Sequence, residues 1–289
     1  MTTQWLERRL NNQLPVSYFL VTFTLPSELR SVTRRYQSVM YDLLFRCSSA
    51  ALRELSANPR FLGGDIGLTG VLHTHSRKLD YHPHVHYVTP ACAINRSKNI
   101  CIHSKSSFLV PQQALNRLFI GKFLAGLKML GIRFPSHLYR IDWVVHCQSI
   151  GTGNTALKYL SRYLYRGVIA EKNIIRDHAG QVTFRYTEGQ TGSIKTRTLP
   201  GDQFLNIVLQ HALPKGFRRV RDYGFLHGNA KKTLHQLQLL LKPKLPKSIR
   251  SDKPSFVCSI CGSIMQTVAV CVFSMYAPSR ERAPPIAEK

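Results

Sequence analysis

Three histidines lie within six residues in the segment YHPHVHYV, which covers residues 81–88. The segment is rich in aromatic and β-branched residues, so we expect it to form a β-strand. Residues two apart point to the same face of a strand and lie about 6.6 Å apart along it. His84 and His86 therefore share a face, where two imidazoles can converge on one metal ion.

A metal site that also binds substrate usually takes three protein ligands and keeps one position open. The preceding segment IGLTGVLHTH (66–75) is also typical of a strand and carries His73 and His75. In a hairpin of these two strands, His73 lies roughly opposite the pair, with His75 on the same face nearer the turn. The alternative is a set of hydrogen-bonded histidines without a metal. Because five of the twelve histidines fall between 73 and 86, we favour the metal site.

Two tyrosines lie one helical turn apart in NTALKYLSRYLYRG (154–167), a segment that Asn154 can cap as a helix. An advance of 100° per residue puts Tyr159 and Tyr163 opposite an apolar stripe, with Arg162 and Arg166 beside them. The stripe consists of Leu157, Leu160, Leu164 and Val168. A phenol with a pKa of about 10 attacks a phosphodiester effectively only where a metal and cations stabilise the developing charge. The alternative is that the tyrosines stack on bases or pack under another helix.

The order of the other elements predicts the α+β class, with a mainly antiparallel sheet flanked by helices and a basic helical carboxy-terminal part. Strands are expected at 17–25, 66–75, 84–89, 139–147 and 217–221, helices at 33–57, 111–130, 154–166, 201–213 and 229–241, and a hairpin turning at Ala179–Gly180. Four parts are expected: strand and helix of the core at 1–65, a catalytic core at 66–200, a basic DNA-binding part at 201–250 and a small module with a flexible tail at 251–289.

The composition favours a polyanionic partner, since 40 Lys and Arg stand against 15 Asp and Glu, a formal charge of +25. Such an excess repels itself unless a polyanion is bound, so nucleic acid is the leading partner. An anionic membrane is the rival, but no apolar run approaches the roughly 18 residues of a membrane span. We expect no membrane partner and a cytoplasmic, nucleoid-associated location.

Taken together, the histidine and tyrosine blocks resemble the HUH transposases of rolling-circle insertion sequences, of the insertion-sequence ninety-one type. LPVSYFLVTFTLPSELR, VLHTHSRKLDYHPHVHYV, LKYLSRYLYRGVIAEKNI and LPKGFRRVRDYGFL follow the family pattern in order. The resemblance implies Tyr159 and Tyr163 as paired nucleophiles and Mg²⁺ or Mn²⁺ at the histidines. By the same resemblance, His73 matches a repeated histidine of the family. Family members usually carry an amino-terminal zinc-binding segment, and this chain begins after it.

The implied chemistry is metal-dependent nicking and strand transfer of single-stranded DNA through a 5′-phosphotyrosine intermediate. The DNA partners are the ends of the element and the target. Arg162 and Arg166 are added to the candidate catalytic residues on helix geometry and not on the resemblance. Cys258 and Cys261 form a C-x2-C pair that matches the family and supplies half of a four-ligand zinc site. Two alternatives stay open: a non-catalytic DNA-binding relic or regulator, and a replication initiator or relaxase with the same chemistry.

Overall fold

The computed structural model describes residues 2–95, 97–98, 100–104, 109–165, 168–189, 191–241, 256–257, 261 and 263–265; at 2–4, 159, 162–165, 256–257 and 264–265 it describes the backbone alone. By its contacts the chain divides into two units, 1–245 and 246–289. The described part of the second unit contains a two-stranded antiparallel hairpin.

The described helices are α1 (Thr2–Asn11), α2 (Arg30–Arg35), α3 (Gln37–Ala57), α4 (Gln112–Met129), α5 (Asn154–Tyr165), α6 (Gly201–Leu209) and α7 (Lys231–Leu240). The described strands are β1 (Tyr18–Thr24), β2 (Leu68–His75), β3 (Tyr81–Pro90), β4 (Cys92–Asn95), β5 (Ile100–His103), β6 (Val145–Ser149), β7 (Ile174–His178), β8 (Gln181–Thr187), β9 (Ile194–Pro200), β10 (Val220–Tyr223), β11 (Phe256–Val257) and β12 (Ile264–Met265). None of the helices in this described part is long and apolar enough to cross a membrane.

A five-stranded sheet in the order β10-β2-β3-β1-β6 forms the centre of the first unit. Every pairing between its strands is antiparallel. The predicted α+β class with a mainly antiparallel sheet is therefore confirmed. Two smaller sheets accompany it: the β4–β5 hairpin and the three-stranded sheet β7-β8-β9.

The two faces of the central sheet have different neighbours. One face carries Phe23 and Tyr87, which are fully buried in the main core together with residues of α3 and α4 such as Phe45 and Phe119. Edge-to-face ring contacts join Phe23 to both Tyr87 and Phe119. The opposite face carries the histidines, and α5 packs on part of it. The large apolar core thus holds the sheet rigid beneath the histidine face.

Several boundaries differ from the sequence prediction. The helix expected over 33–57 is interrupted at Tyr36, whose backbone (φ −122°, ψ 47°) is not helical. The strand expected at 139–147 instead begins at Val145, because Trp143 is buried and donates its indole N–H to the Leu138 carbonyl. The hairpin turn at Ala179–Gly180 is present, and both residues have positive φ. Helix α1, the β4–β5 hairpin and β9 were not predicted.

Candidate metal centre

Three imidazoles converge on the face of β2 and β3 that lies opposite the main core. The register places His73 directly opposite His84, and Val71 opposite His86. One ring nitrogen from each of His73, His84 and His86 lies within 4.8 Å of the other two. The ring centroids are 4.6 Å apart for His73 and His86, 5.2 Å for His73 and His84, and 4.8 Å for His84 and His86. The predicted hairpin geometry therefore brings these three side chains together.

His75 does not join the cluster, although the two-residue period of a strand would put it on the same face as His73. The β2–β3 register shifts between His73 and His75, so that His75 pairs with Tyr81. Its ring lies 5.3 Å from that of His211 instead. A β-bulge redirects a side chain in this way because it breaks the alternation of the strand.

The three clustered histidines are held as neutral imidazoles. Burial lowers the pKa of His86 to about 4. Burial, followed by the neighbouring imidazoles, brings the pKa values of His73 and His84 well below the ordinary range. Neutral imidazole is the form that binds a metal, so the cluster is in ligand form at neutral pH. His73 is only 4% exposed, whereas His84 and His86 are half-buried.

Hydrogen bonds determine which nitrogen of His84 is available. Its Nδ1 lies 2.6 Å from the His82 carbonyl oxygen, which can only accept, so Nδ1 carries the proton. The Nε2 lone pair of His84 is consequently left for a ligand. The Nδ1 of His86 lies 2.7 Å from the Thr22 hydroxyl. This donor set of imidazoles suits a divalent transition ion, so of the two implied metals it fits Mn²⁺ better than Mg²⁺.

Two arginines that were not singled out from the sequence lie near the cluster. Arg30 places a guanidinium nitrogen 3.2 Å from Nδ1 of His82. The Arg219 carbonyl accepts the Leu72 amide at 3.0 Å, which puts Arg219 beside the strand that ends in the histidines. Its charge contributes to lowering the pKa of both His73 and His75. The position of Arg219 follows only from the sheet order, because β10 joins β2 across about 150 residues of chain.

Helix α5, which carries both candidate tyrosines, packs on the same sheet face as the histidines. Leu157 and Leu160 lie in one apolar cluster with Val71 and Val88. Val71 precedes His73 by two residues and Val88 follows His86 by two, so the helix lies next to the cluster along both strands. The amino-terminal helix α1 covers α5 in turn, through an apolar edge of Trp5, Leu6 and Leu10.

The remaining candidates are described only in part. Positions 159, 162 and 163 belong to the backbone of α5, whereas the side chains of Tyr159, Arg162 and Tyr163 lie outside the described part, as does Arg166 altogether. For the C-x2-C pair, Cys258 lies outside the described residues and Cys261 is exposed.

Comparison with known proteins identifies the family. A profile described as "Putative transposase" (Y2_Tnp) matches residues 67–233, more than half of the chain. The chain belongs to the Y2_Tnp family. It is 33% identical over 275 residues to "Putative transposase y4qJ" of Sinorhizobium fredii, a match that covers 87% of this chain and 69% of that protein. The Y2_Tnp profile thus spans the histidine strands, α5 and β10.

Two further similarities are weaker. The transposase for insertion sequence element IS801 of Pseudomonas savastanoi pv. phaseolicola is 28% identical over 250 residues, covering 78% of this chain and 58% of its own length. Among solved structures, the conjugative relaxase TrwC in complex with mutant oriT DNA overlays with a TM-score of 0.32 at 14% identity. That overlay covers 76% of this chain and 71% of the relaxase. At such a score it supports no functional conclusion.

Proposed function

We propose that this member of the Y2_Tnp family is a transposase that nicks and rejoins single-stranded DNA through a phosphotyrosine intermediate, at the ends of an insertion sequence of the ninety-one type. The observation that carries the proposal is the His73–His84–His86 cluster on the face where α5 packs. Three converging neutral imidazoles contribute little to the packing of an apolar core. Here they lie beside a helix whose sequence carries basic residues and two tyrosines. Family membership supports action on DNA.

The three histidines would hold a divalent ion, which polarises the phosphodiester and offsets charge on its oxygens when bound. Because Mg²⁺ prefers oxygen ligands whereas imidazole suits transition ions, we expect Mn²⁺ to support the reaction better than Mg²⁺. A Zn²⁺ ion at Cys258 and Cys261 would be a separate, structural half-site that needs further ligands.

In the proposed reaction, the phenolic oxygen of Tyr159 or Tyr163 attacks the scissile phosphorus. A bond from the tyrosine oxygen to phosphorus forms while the bond to the 3′ oxygen breaks. The 3′ oxygen takes up a proton and the tyrosine loses one, so the exchange needs neither ATP nor a redox partner. The reverse attack by a 3′ hydroxyl completes strand transfer. We assign Arg162, Arg166 and Arg219 to binding the phosphate backbone.

The test uses a randomised pool of single-stranded oligonucleotides labelled at the 3′ end, because the 5′ phosphate of the downstream fragment is the one joined to protein. With Mn²⁺ and denaturing electrophoresis, we expect a labelled protein band. The band should vanish in the double variant Tyr159→Phe/Tyr163→Phe and persist in Tyr139→Phe, which changes a tyrosine that is 47% exposed. Absence of a labelled band for the wild-type protein with both Mn²⁺ and Mg²⁺ would support the non-catalytic relic or regulator instead.

The replication initiator or relaxase alternative shares this chemistry and differs in substrate. Two defined pools distinguish them, one carrying the ends of the insertion sequence and one carrying plasmid origins, and the labelled fragments from each pool are sequenced. Fragments that begin at one element terminus indicate a transposase, whereas fragments that begin at a plasmid origin, supplied in a second pool, indicate an initiator or relaxase.

A further inference from the structure

Thr22 lies on the histidine face of the sheet, in β1, the strand that pairs with β3. The antiparallel register of β1 and β3 places Thr22 directly opposite His86. The threonine hydroxyl is 2.7 Å from Nδ1 of His86, and both side chains are half-buried. At this distance the contact is a full hydrogen bond within a sheltered site.

The chemistry of imidazole gives this contact a direction. A neutral histidine that binds a metal through Nε2 carries its proton on Nδ1. The Nδ1–H of His86 then donates to the Thr22 hydroxyl oxygen, just as the Nδ1–H of His84 donates to the carbonyl oxygen of His82. Each of the two histidines on β3 thus has its Nδ1 engaged, one by the backbone and one by a side chain.

We infer that Thr22 is a positioning residue for the metal centre: it fixes the ring orientation of His86 so that Nε2 faces the ion, and it accepts the Nδ1–H when Nε2 is bound. The backbone contact at His84 cannot be removed by substitution, whereas the contact at His86 depends on one hydroxyl group. The inference rests on the proposed metal site. Loss of such an outer partner typically weakens metal binding by about 10–100-fold.

Two substitutions at Thr22 isolate the hydroxyl. Thr22→Val keeps the branched shape that a strand favours and removes the hydrogen-bonding oxygen, whereas Thr22→Ser keeps the oxygen and removes a methyl group. Thr24→Val is the matched control. Thr24 lies two residues along the same strand, opposite His84 on the same face, and is 6% exposed.

The measurement is Mn²⁺ affinity, determined from the free-ion signal in electron paramagnetic resonance titrations. We expect the dissociation constant to rise by about 10–100-fold in Thr22→Val, and to stay within a few-fold of wild type in Thr22→Ser and Thr24→Val. Thermal melts of the metal-free variants verify that each is folded. Equal affinity in Thr22→Val and wild type overturns the inference, as does an equal loss in Thr22→Ser.

A second readout separates this inference from the proposed function. In the metal-free protein, the ¹⁵N shift of His86 Nδ1, assigned by comparison with His86→Gln, reports whether that nitrogen is hydrogen-bonded. We expect the hydrogen-bonded shift in wild type and Thr22→Ser and its loss in Thr22→Val. If wild-type protein binds no Mn²⁺, the metal proposal fails, while an unchanged Nδ1 shift in Thr22→Val contradicts the role of Thr22 alone.

Discussion

Metal-free protein should lose stability steeply between pH 6.5 and pH 4. Burial lowers the pKa of His86 from about 6.5 to about 4 in the folded state. Above pH 6.5 the imidazole is neutral in both states and has no effect. As the pH falls below 6.5, the unfolded chain takes up a proton that the folded chain excludes, so the folded state is destabilised. The loss of stability stops growing once the pH falls below the pKa of His86 in the folded state.

The size of the effect follows from the pKa difference. One unit corresponds to about 1.36 kcal/mol, so the shift of about 2.5 units at His86 amounts to about 3.4 kcal/mol. His75, whose pKa burial and the nearby His211 also bring to about 4, contributes a similar amount. His73 and His84 act in the same direction. The sum is comparable to the whole stability of an ordinary domain, about 5–15 kcal/mol, so unfolding is expected well before pH 4.

The assay is urea denaturation in EDTA at pH 7.0, 6.5, 6.0 and 5.5, followed by circular dichroism. In His86→Gln the number of protons taken up on unfolding should fall by about one, which flattens the pH dependence by up to about 1.4 kcal/mol per pH unit. His103→Gln, which changes an exposed histidine at the end of β5, controls for loss of any imidazole. An identical pH slope in wild type and His86→Gln would refute the reasoning.

Three further outcomes test the packing and the charge. Leu160→Ala should cost about 2–5 kcal/mol in urea melts, because this fully buried residue joins α5 to the sheet, whereas Leu205→Ala at a 58% exposed position should cost little. Gly224→Ala should cost at least about 2 kcal/mol, since φ is +60° and a Cβ would overlap the Ile66 carbonyl oxygen; Gly228→Ala has open space and is the control. With a net charge of +25, single-stranded DNA affinity should fall with salt at a log–log slope of about −0.7 per phosphate contacted, and a slope near zero in anisotropy titrations would contradict electrostatic binding.

The histidine cluster was predictable because its signal is local. His84 and His86 follow the two-residue period of one strand, and His73 lies opposite them once the two strands form a hairpin. The same period fails for His75, since it takes no account of the β-bulge before that residue. A bulge depends on the pairing with the partner strand, which the sequence of one strand does not specify.

Helix α1 shows a second limit. Its apolar residues Trp5, Leu6 and Leu10 are few and lie among basic and polar residues, so the segment looks like a solvated tail. A ten-residue helix is not stable alone in water. Its stability comes from packing on α5, which follows it by more than 140 residues in the chain. Helix α5 is therefore held between the sheet and helix α1, which local periodicity does not reveal.

The residues around the histidine cluster are the least visible in the sequence. The β-propensity of threonine alone accounts for its presence in strand β1 at position 22. Arg219 precedes a short edge strand. Both reach the histidines only through the sheet order β10-β2-β3-β1-β6, in which neighbours in space are distant in sequence. Thr22→Val would be judged conservative by shape and propensity, although it removes a hydroxyl that contacts His86. Because cross-strand pairing gives a residue its chemical role here, register has to be known before a substitution in this sheet can be assessed.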